Sequence, residues 1–389
     1  MKQCNLVMVT SENNNKFYNM VENGNVIDVT YGRVGCKETK CQYPISKWDS
    51  LKNSKLRKGY KEVTTFKTEV KKSVINEIKN DEVKDIVTIL LNKARTSIAE
   101  NYLVSYQEVT QKQIDEAQNV LNSVLEYRKK RVEVEELNNR LLKLYTIVPR
   151  KMKRVQENLL TCFDTTRLKE IIKNEQELLD TMATQVAQNT DSSDKNILEV
   201  AGLEMKPVTK IEEKIILRKL GNNKGQYVRA FRVINKKTQE RFDKCLAEST
   251  NKQTELYWHG SRTENWWSIL STGLMIRPSG AVYTGSMFGD SIYFANKAQK
   301  SIGYTSLSSS YWAKGNDNKA YLALFEVSVG NQKHIYEHDS SCYSLCYDKI
   351  QKQGYDSVFA HAGRSLRNDE IMVYRSEQCT VKYIVEISK

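Results

Sequence analysis

The stretch Tyr257-Trp258-His259-Gly260-Ser261-Arg262 decides the reading of this chain. A histidine ends an apolar run, and the glycine that follows it permits close approach to the backbone. Three other segments carry matching chemistry: Met287-Phe288-Gly289-Asp290-Ser291-Ile292-Tyr293-Phe294-Ala295, Lys300-Ser301-Ile302-Gly303-Tyr304, and Asn368-Asp369-Glu370-Ile371-Met372-Val373-Tyr374. The set offers one histidine, two tyrosines, a small hydroxyl and a carboxylate beside glycine-lined backbone. That inventory suits a flat aromatic ligand bearing an amide and a sugar. Two tyrosine rings can sandwich an aromatic ring, each stack contributing ~1–3 kcal/mol. A glycine N–H and C=O with a serine hydroxyl can hold a carboxamide, and a carboxylate can hold a ribose hydroxyl. Taken singly, His259 reads as a structural histidine, Tyr293 and Tyr304 as strand packing, and Glu370 as a solvated carboxylate. Sequence alone does not make the four segments converge.

Outward from this stretch, the 389 residues have room for two or three domains. Hydrophobic residues make up 40% of the chain, enough for real cores and unlike a disordered polymer. The net charge of +13 favours an anionic partner, nucleic acid foremost. Eight cysteines are scattered without C-x-x-C spacing. The first residues lack the apolar core of a signal peptide, and no apolar run approaches the ~20 residues of a membrane span. The expectation is a soluble intracellular protein with reduced thiols and no membrane partner, nuclear in a eukaryote and otherwise cytoplasmic.

Residues 1–70 read as β-rich, from Leu6-Val7-Met8-Val9 and Val26-Ile27-Asp28-Val29-Thr30-Tyr31, with glycines between. Residues 72–187 lack glycine, and Pro149 is their one proline. Helical spacing governs there: Ile114, Ala117, Leu121 and Leu125 share a face, as do Leu137, Leu141, Leu144 and Val148. Thr110 with Gln113 predicts a capping box. Leu168, Ile171, Ile172, Leu178, Leu179 and Met182 mark a further amphipathic helix, for about five to seven helices in all. Gln188 to Lys195 reads as a linker. Strand signals return at Ile215-Ile216-Leu217, Tyr321 to Val327 and Ile371 to Tyr374.

In combination, the four segments resemble the catalytic domain of the poly(ADP-ribose) polymerase family. His259, Tyr293 and Glu370 match that family's His-Tyr-Glu signature in order and local context. The resemblance implies a multidomain α+β protein. Its parts are a small β-rich WGR-like DNA-binding domain (1–70), an all-α helical regulatory domain (72–190) and a mixed α/β ADP-ribosyltransferase domain on antiparallel sheets (196–389). It implies NAD+ as a consumed substrate, no metal, and transfer of ADP-ribose to acceptor proteins including the protein itself. His259 is expected on the adenosine ribose, Gly260 and Ser301 on the nicotinamide amide, and Tyr304 and Tyr293 on the two nicotinamide faces. Glu370 is expected on the nicotinamide ribose, Ser261 and Arg262 near the adenine, and Lys300 in the site lining. A carboxylate near the sugar stabilises an oxocarbenium-like centre most in the transition state. It can also accept the proton of an incoming hydroxyl, which elongation requires. Histidine with glutamate marks polymer-forming members. Met275 stands where members often carry arginine. The stretches Ser279 to Ser286 and Phe359 to Asn368 are short, the latter nearer the tankyrase length, which bears on acceptor choice and chain length.

Tyr31-Gly32-Arg33-Val34-Gly35 resembles the Trp-Gly-Arg motif of the WGR domain, with tyrosine for tryptophan. Residues 1–70 hold twelve Lys and Arg against seven Asp and Glu. Tyr31, Arg33, Lys47, Lys52, Lys55, Arg57, Lys58 and Lys61 are the expected contacts to DNA ends or nicks, with Arg33 alternatively facing the rest of the protein. Residues 72–187 resemble the helical domain that obstructs NAD+ until DNA loosens it. A DNA-break-activated, monomeric poly-ADP-ribosyltransferase is the leading expectation. A mono-ADP-ribosyltransferase or NAD+ hydrolase on the same fold, and a catalytically idle DNA-end-binding scaffold, are the alternatives.

His334, His338, Cys342 and Cys346 recur every four residues and are possible zinc ligands. On one helix the first and last would lie roughly 18 Å apart, too far to ring one ion. No metal site is expected.

Overall fold

The computed structural model describes residues 2–63, 78–104, 106–127, 133–189, 196–276, 287–308 and 310–389. Among them, residues 2–63 and 96–189 form one compact unit, and residues 78–95 and 196–389 form the other.

The N-terminal unit begins with β1 (Gln3–Val9), β2 (Asn15–Asn23), β3 (Val26–Arg33) and β4 (Thr39–Pro44), followed by α1 (Trp48–Arg57) and β5 (Lys61–Val63). These strands make one antiparallel sheet in the order β4-β3-β2-β1-β5. Alternation buries Leu6, Tyr18, Met20, Ile27 and Val29 on one face, where Trp48 of α1 covers them. The expected β-rich reading of this segment matches the observed sheet.

Four long helices follow: α2 (Asp81–Asn101), α3 (Gln111–Tyr127), α4 (Val134–Ile147) and α5 (Thr165–Asn189). The predicted capping box is present at the start of α3. The Gln113 N–H donates to Thr110 Oγ1 at 3.2 Å, and Thr110 N–H donates to Gln113 Oε1 at 3.0 Å. The predicted faces are buried: Ile114, Ala117 and Leu121 on α3, Leu137, Leu141 and Leu144 on α4, and Leu168, Ile171, Ile172, Leu179 and Met182 on α5. Gln188 and Asn189 belong to α5 rather than to a linker, and residues 190–195 lie outside the described residues.

The helical segment is not one self-contained domain from residue 72 to 190. Through Arg95, α2 belongs to the C-terminal unit. Val83, Ile86, Val87, Leu90, Leu91 and Ala94 pack into the core that holds Phe231, Trp266, Trp267, Tyr321 and Phe325. Beyond Arg95, Ile98 and Tyr102 join the bundle core instead. The apolar stripe of α2 is continuous in sequence, so periodicity could not show that its two ends bury against different partners.

The C-terminal unit continues with α6 (Ile197–Ala201), β6 (Leu203–Pro207), α7 (Lys210–Leu220), β7 (Tyr227–Asn235), α8 (Lys236–Glu248), β8 (Thr254–Gly260) and α9 (Thr263–Thr272). Then come β9 (Ile292–Phe294), α10 (Ala298–Ile302), β10 (Lys319–Ser328), β11 (Gln332–Ile335), α11 (Tyr347–Gln351), β12 (Ser357–Ala360), β13 (Glu370–Val373) and β14 (Cys379–Ser388). One sheet runs β6-β7-β14-β10-β8 and the second β11-β12-β13-β9. All pairs are antiparallel except β11 with β12, which the α11 crossover makes parallel. Among the described residues, the antiparallel bridge of Trp258 with Ala295 joins the two sheets through N–H···O bonds of 2.8 and 2.9 Å.

Ile215-Ile216-Leu217 is helical, not a strand. A full Thr209/Glu212 capping box starts α7, and Arg218 and Lys219 occupy its last turn before Gly221. Those end signals outweigh three consecutive β-branched or apolar residues.

Candidate active site

The four segments singled out in the sequence converge where the two sheets meet. His259 and Gly260 end β8, Tyr293 sits in β9, Lys300 and Ser301 lie on α10, and Glu370 opens β13. Register explains the meeting. β13 pairs with β9 so that Met372 opposes Tyr293, and the Trp258–Ala295 bridge lays β8 against the end of β9.

His259 is held by its own protein. Its Nδ1 lies 3.0 Å from the Tyr293 carbonyl, an acceptor only, so Nδ1 carries the hydrogen in this contact. In an imidazole with its hydrogen on Nδ1, Nε2 is the acceptor nitrogen. Trp266, Phe294 and Phe325 stand edge-on around the imidazole at 6.0–6.4 Å between centroids.

Gly260 has a second reason to be glycine besides ligand approach. A Cβ there would meet the Ser301 carbonyl oxygen at 2.0 Å, so the end of β8 and α10 touch backbone to backbone. That contact places buried Ser301 beside Gly260, as a shared carboxamide subsite requires. Ser261 Oγ accepts from Asn265 Nδ2 at 3.2 Å, and exposed Arg262 is the N-cap residue of α9.

Glu370 forms an ion pair with Lys300, and both side chains are mostly buried, 14% exposed each. Burial pushes the Lys300 ammonium below the usual lysine range, against the opposing pull of Glu370 and Asp369. Tyr304 is pushed up to about 12, by burial first and then by the Glu370 charge. Burial also drives the Tyr293 phenol upward. The Tyr293 hydroxyl accepts from the Phe288 N–H at 2.9 Å.

Three groups escaped the sequence reading. The indole of Trp312 stacks on Tyr304, centroids 6.0 Å apart and planes 17° off parallel, and so backs one face of that ring. Asn296 and Asp369 are hydrogen-bonded across the start of β13. Spacing could not pair Asn296 with Asp369, because they lie far apart along the chain in irregular segments. The stretch from residue 277 to Ser286 lies outside the described residues.

The expected DNA contacts do not all present a free cation. The Arg33 guanidinium donates to Asn13 O at 2.7 Å, Asn13 Oδ1 at 2.9 Å and Lys153 O at 2.9 Å, so it faces the protein. Lys52 pairs with Glu62 at 2.8 Å. Lys55 sits 4.2 Å above the Tyr18 ring and within 6 Å of the Tyr31 and Tyr60 rings, and burial lowers its pKa. Arg57 Nε donates weakly to Asn53 O at 3.4 Å. Tyr31 is 37% exposed. Lys47 and Lys58 flank α1, and Lys61 starts β5.

His334, His338, Cys342 and Cys346 do not share a helix. His334 lies in β11 and stacks on His361, while His338 Nε2 contacts the Met287 carbonyl at 2.8 Å. Among the described residues, no three His, Cys, Asp or Glu side chains are grouped to hold a metal ion. Nor is any helix among them long and apolar enough to cross a membrane.

A family model of the poly(ADP-ribose) polymerase catalytic domain matches residues 213–389. In Invertebrate iridescent virus 6, the uncharacterized protein 101L is 37% identical over 200 residues, covering 51% of this chain and 84% of that protein. The putative poly [ADP-ribose] polymerase-like 100L of the same virus is 39% identical over 157 residues, 39% of this chain and 81% of its own length. Human poly [ADP-ribose] polymerase 2 is 31% identical over 157 residues, 34% of this chain and 26% of that protein. With the matched domain spanning every residue of the converged site, the chain belongs to the poly(ADP-ribose) polymerase family and is an ADP-ribosyltransferase that consumes NAD+.

Proposed function

We propose that the protein forms poly(ADP-ribose) on itself or other proteins when broken DNA engages its N-terminal sheet. The carrying observation is the Glu370–Lys300 pair beside Tyr304, next to the strand end that holds His259. Glu370 lies on the nicotinamide ribose in this reading. Its charge stabilises the oxocarbenium-like centre as the nicotinamide bond breaks, and its oxygen takes the proton of an attacking ribose hydroxyl. Lys300 pairs with that carboxylate and orients it. His259 Nε2 accepts from the adenosine ribose, and Tyr304, backed by Trp312, stacks on the nicotinamide with Tyr293 opposite.

DNA gating is supported by the make-up of the N-terminal unit. Residues 1–70 carry twelve Lys and Arg against seven Asp and Glu, an excess of five positive charges, and Arg33, Asn13 and Asn15 bind the backbone of residues 150–155, which leads into α5 of the regulatory helices. DNA bound near Tyr31 would shift a helical equilibrium that obstructs NAD+. The test is incubation with labelled NAD+, with and without nicked or blunt DNA, followed by a denaturing gel. High-molecular-weight product appearing only with DNA is expected. A single sharp band would replace polymer formation with mono-transfer, and equal product without DNA would remove the gating.

A further inference from the structure

We propose that Asn296 and Asp369 form a positioning clamp that holds the Glu370 carboxylate in register with His259. Asn296 follows Ala295, whose backbone bridges to Trp258 immediately before His259. Asp369 immediately precedes Glu370. The Asn296 Nδ2 donates to Asp369 Oδ2 at 2.7 Å, and the Ala362 N–H donates to Asp369 Oδ1 at 2.7 Å. A short path therefore runs from Glu370 through Asp369, Asn296, Ala295 and Trp258 to His259. Each link is a covalent bond or a hydrogen bond.

The need for such a clamp follows from where Glu370 sits. It is the first residue of β13, and its pairing with Ala360 is the last of the ladder. Ladder ends fray, and beyond this one lies an irregular loop. Lys300 alone is a flexible partner for the carboxylate. The clamp ties the strand end to the β9–α10 corner, the same corner that delivers Tyr293 and Lys300.

A second observation points to function rather than stability. The Asn296 Oδ1 is buried with no hydrogen-bond partner among the described residues. An unmet buried acceptor destabilises the fold, and an apolar residue at this corner would avoid it. Asparagine supplies the donor that Asp369 needs, at a loss in stability.

The inference rests on Glu370 acting in the transfer, so Glu370→Gln accompanies the test. Nicotinamide release from NAD+ is measured on the full chain with nicked DNA, resolving kcat from KM, alongside thermal unfolding. Asn296→Ala and the isosteric Asp369→Asn are expected to lower kcat by about ten- to a hundredfold, the cost of roughly 1 Å of misplacement, with KM changed less than about threefold. The double variant N296D/D369N reverses donor and acceptor. The amide it places at position 369 accepts from the Ala362 N–H through its oxygen and donates through its nitrogen to the carboxylate placed at position 296. It should recover kcat above either single variant even if it unfolds at lower temperature. Single variants within about twofold of the parent kcat, effects confined to KM, or no recovery in a folded double variant would overturn the clamp. Unimpaired release by Glu370→Gln would remove the reading beneath it and the clamp as well.

Discussion

Short motifs mark both the C-terminal site and the basic N-terminal sheet, and the structure uses the two differently. At the C-terminal site, residues far apart in the chain meet: His259 against the Tyr293 backbone, Gly260 against Ser301, Lys300 against Glu370. In the N-terminal unit, residues expected to contact DNA are engaged by their own protein. Arg33 binds backbone carbonyls, Lys52 binds Glu62, and Lys55 lies in a nest of tyrosine rings. A motif with several residue types at set spacing constrains geometry. A count of lysines constrains only the field outside the protein, because each flexible cation can find a partner at home.

The sharpest break would come from Glu370. Glu370→Gln keeps the shape but removes the charge, so transfer should fall by about 10²- to 10³-fold with the KM for NAD+ nearly unchanged. Labelled-NAD+ turnover checks this, and long polymer made by that variant would cancel the role given to the carboxylate. Gly260→Ala comes next. Its Cβ would overlap the Ser301 carbonyl, so the C-terminal unit should lose about 1–3 kcal/mol by denaturant unfolding together with its activity. Normal stability and turnover would show that β8 and α10 need not touch.

The pH profile sharpens the electrostatic half of the comparison. Burial disfavours the charged form of Lys300, so it loses its proton at lower pH than an exposed lysine. If its charge orients Glu370, kcat should fall on the alkaline side below about pH 10.4, the ordinary lysine value. Lys300→Arg should move that limb upward, since a guanidinium stays protonated. A limb indifferent to the substitution would detach Lys300 from the reaction. The smallest effects belong to the N-terminal sheet. Arg33→Ala should lower the melting temperature of that unit while changing nicked-DNA affinity by less than about threefold. Lys58→Ala should reduce the salt slope of binding by about one. The reverse pattern in a salt titration would return Arg33 to the phosphate contacts.

Legibility in the sequence followed the range of the interactions involved. The α3 capping box, the buried faces of α3, α4 and α5 and the strands around Val29 and Leu324 were readable because caps and periodicity act within one or two turns. The helix at Ile216 also carries a local signal, the Thr209 and Glu212 capping box, which the run of apolar residues masks. The division of α2 between two cores had no local signature at all.

By itself, the sequence determined the inventory of the site: His259, Tyr293, Tyr304, Ser301, Lys300 and Glu370, in an order whose combined pattern is rare. Side-chain chemistry and short-range backbone preferences are properties of the chain as written. Only the tertiary structure decided that β13 pairs with β9, that the Trp258–Ala295 bridge joins the two sheets, that Trp312 backs Tyr304, and that Asn296 reaches Asp369. Most of those contacts join residues tens of positions apart. Their formation depends on sheet register and core packing, which long-range burial selects and local spacing does not encode.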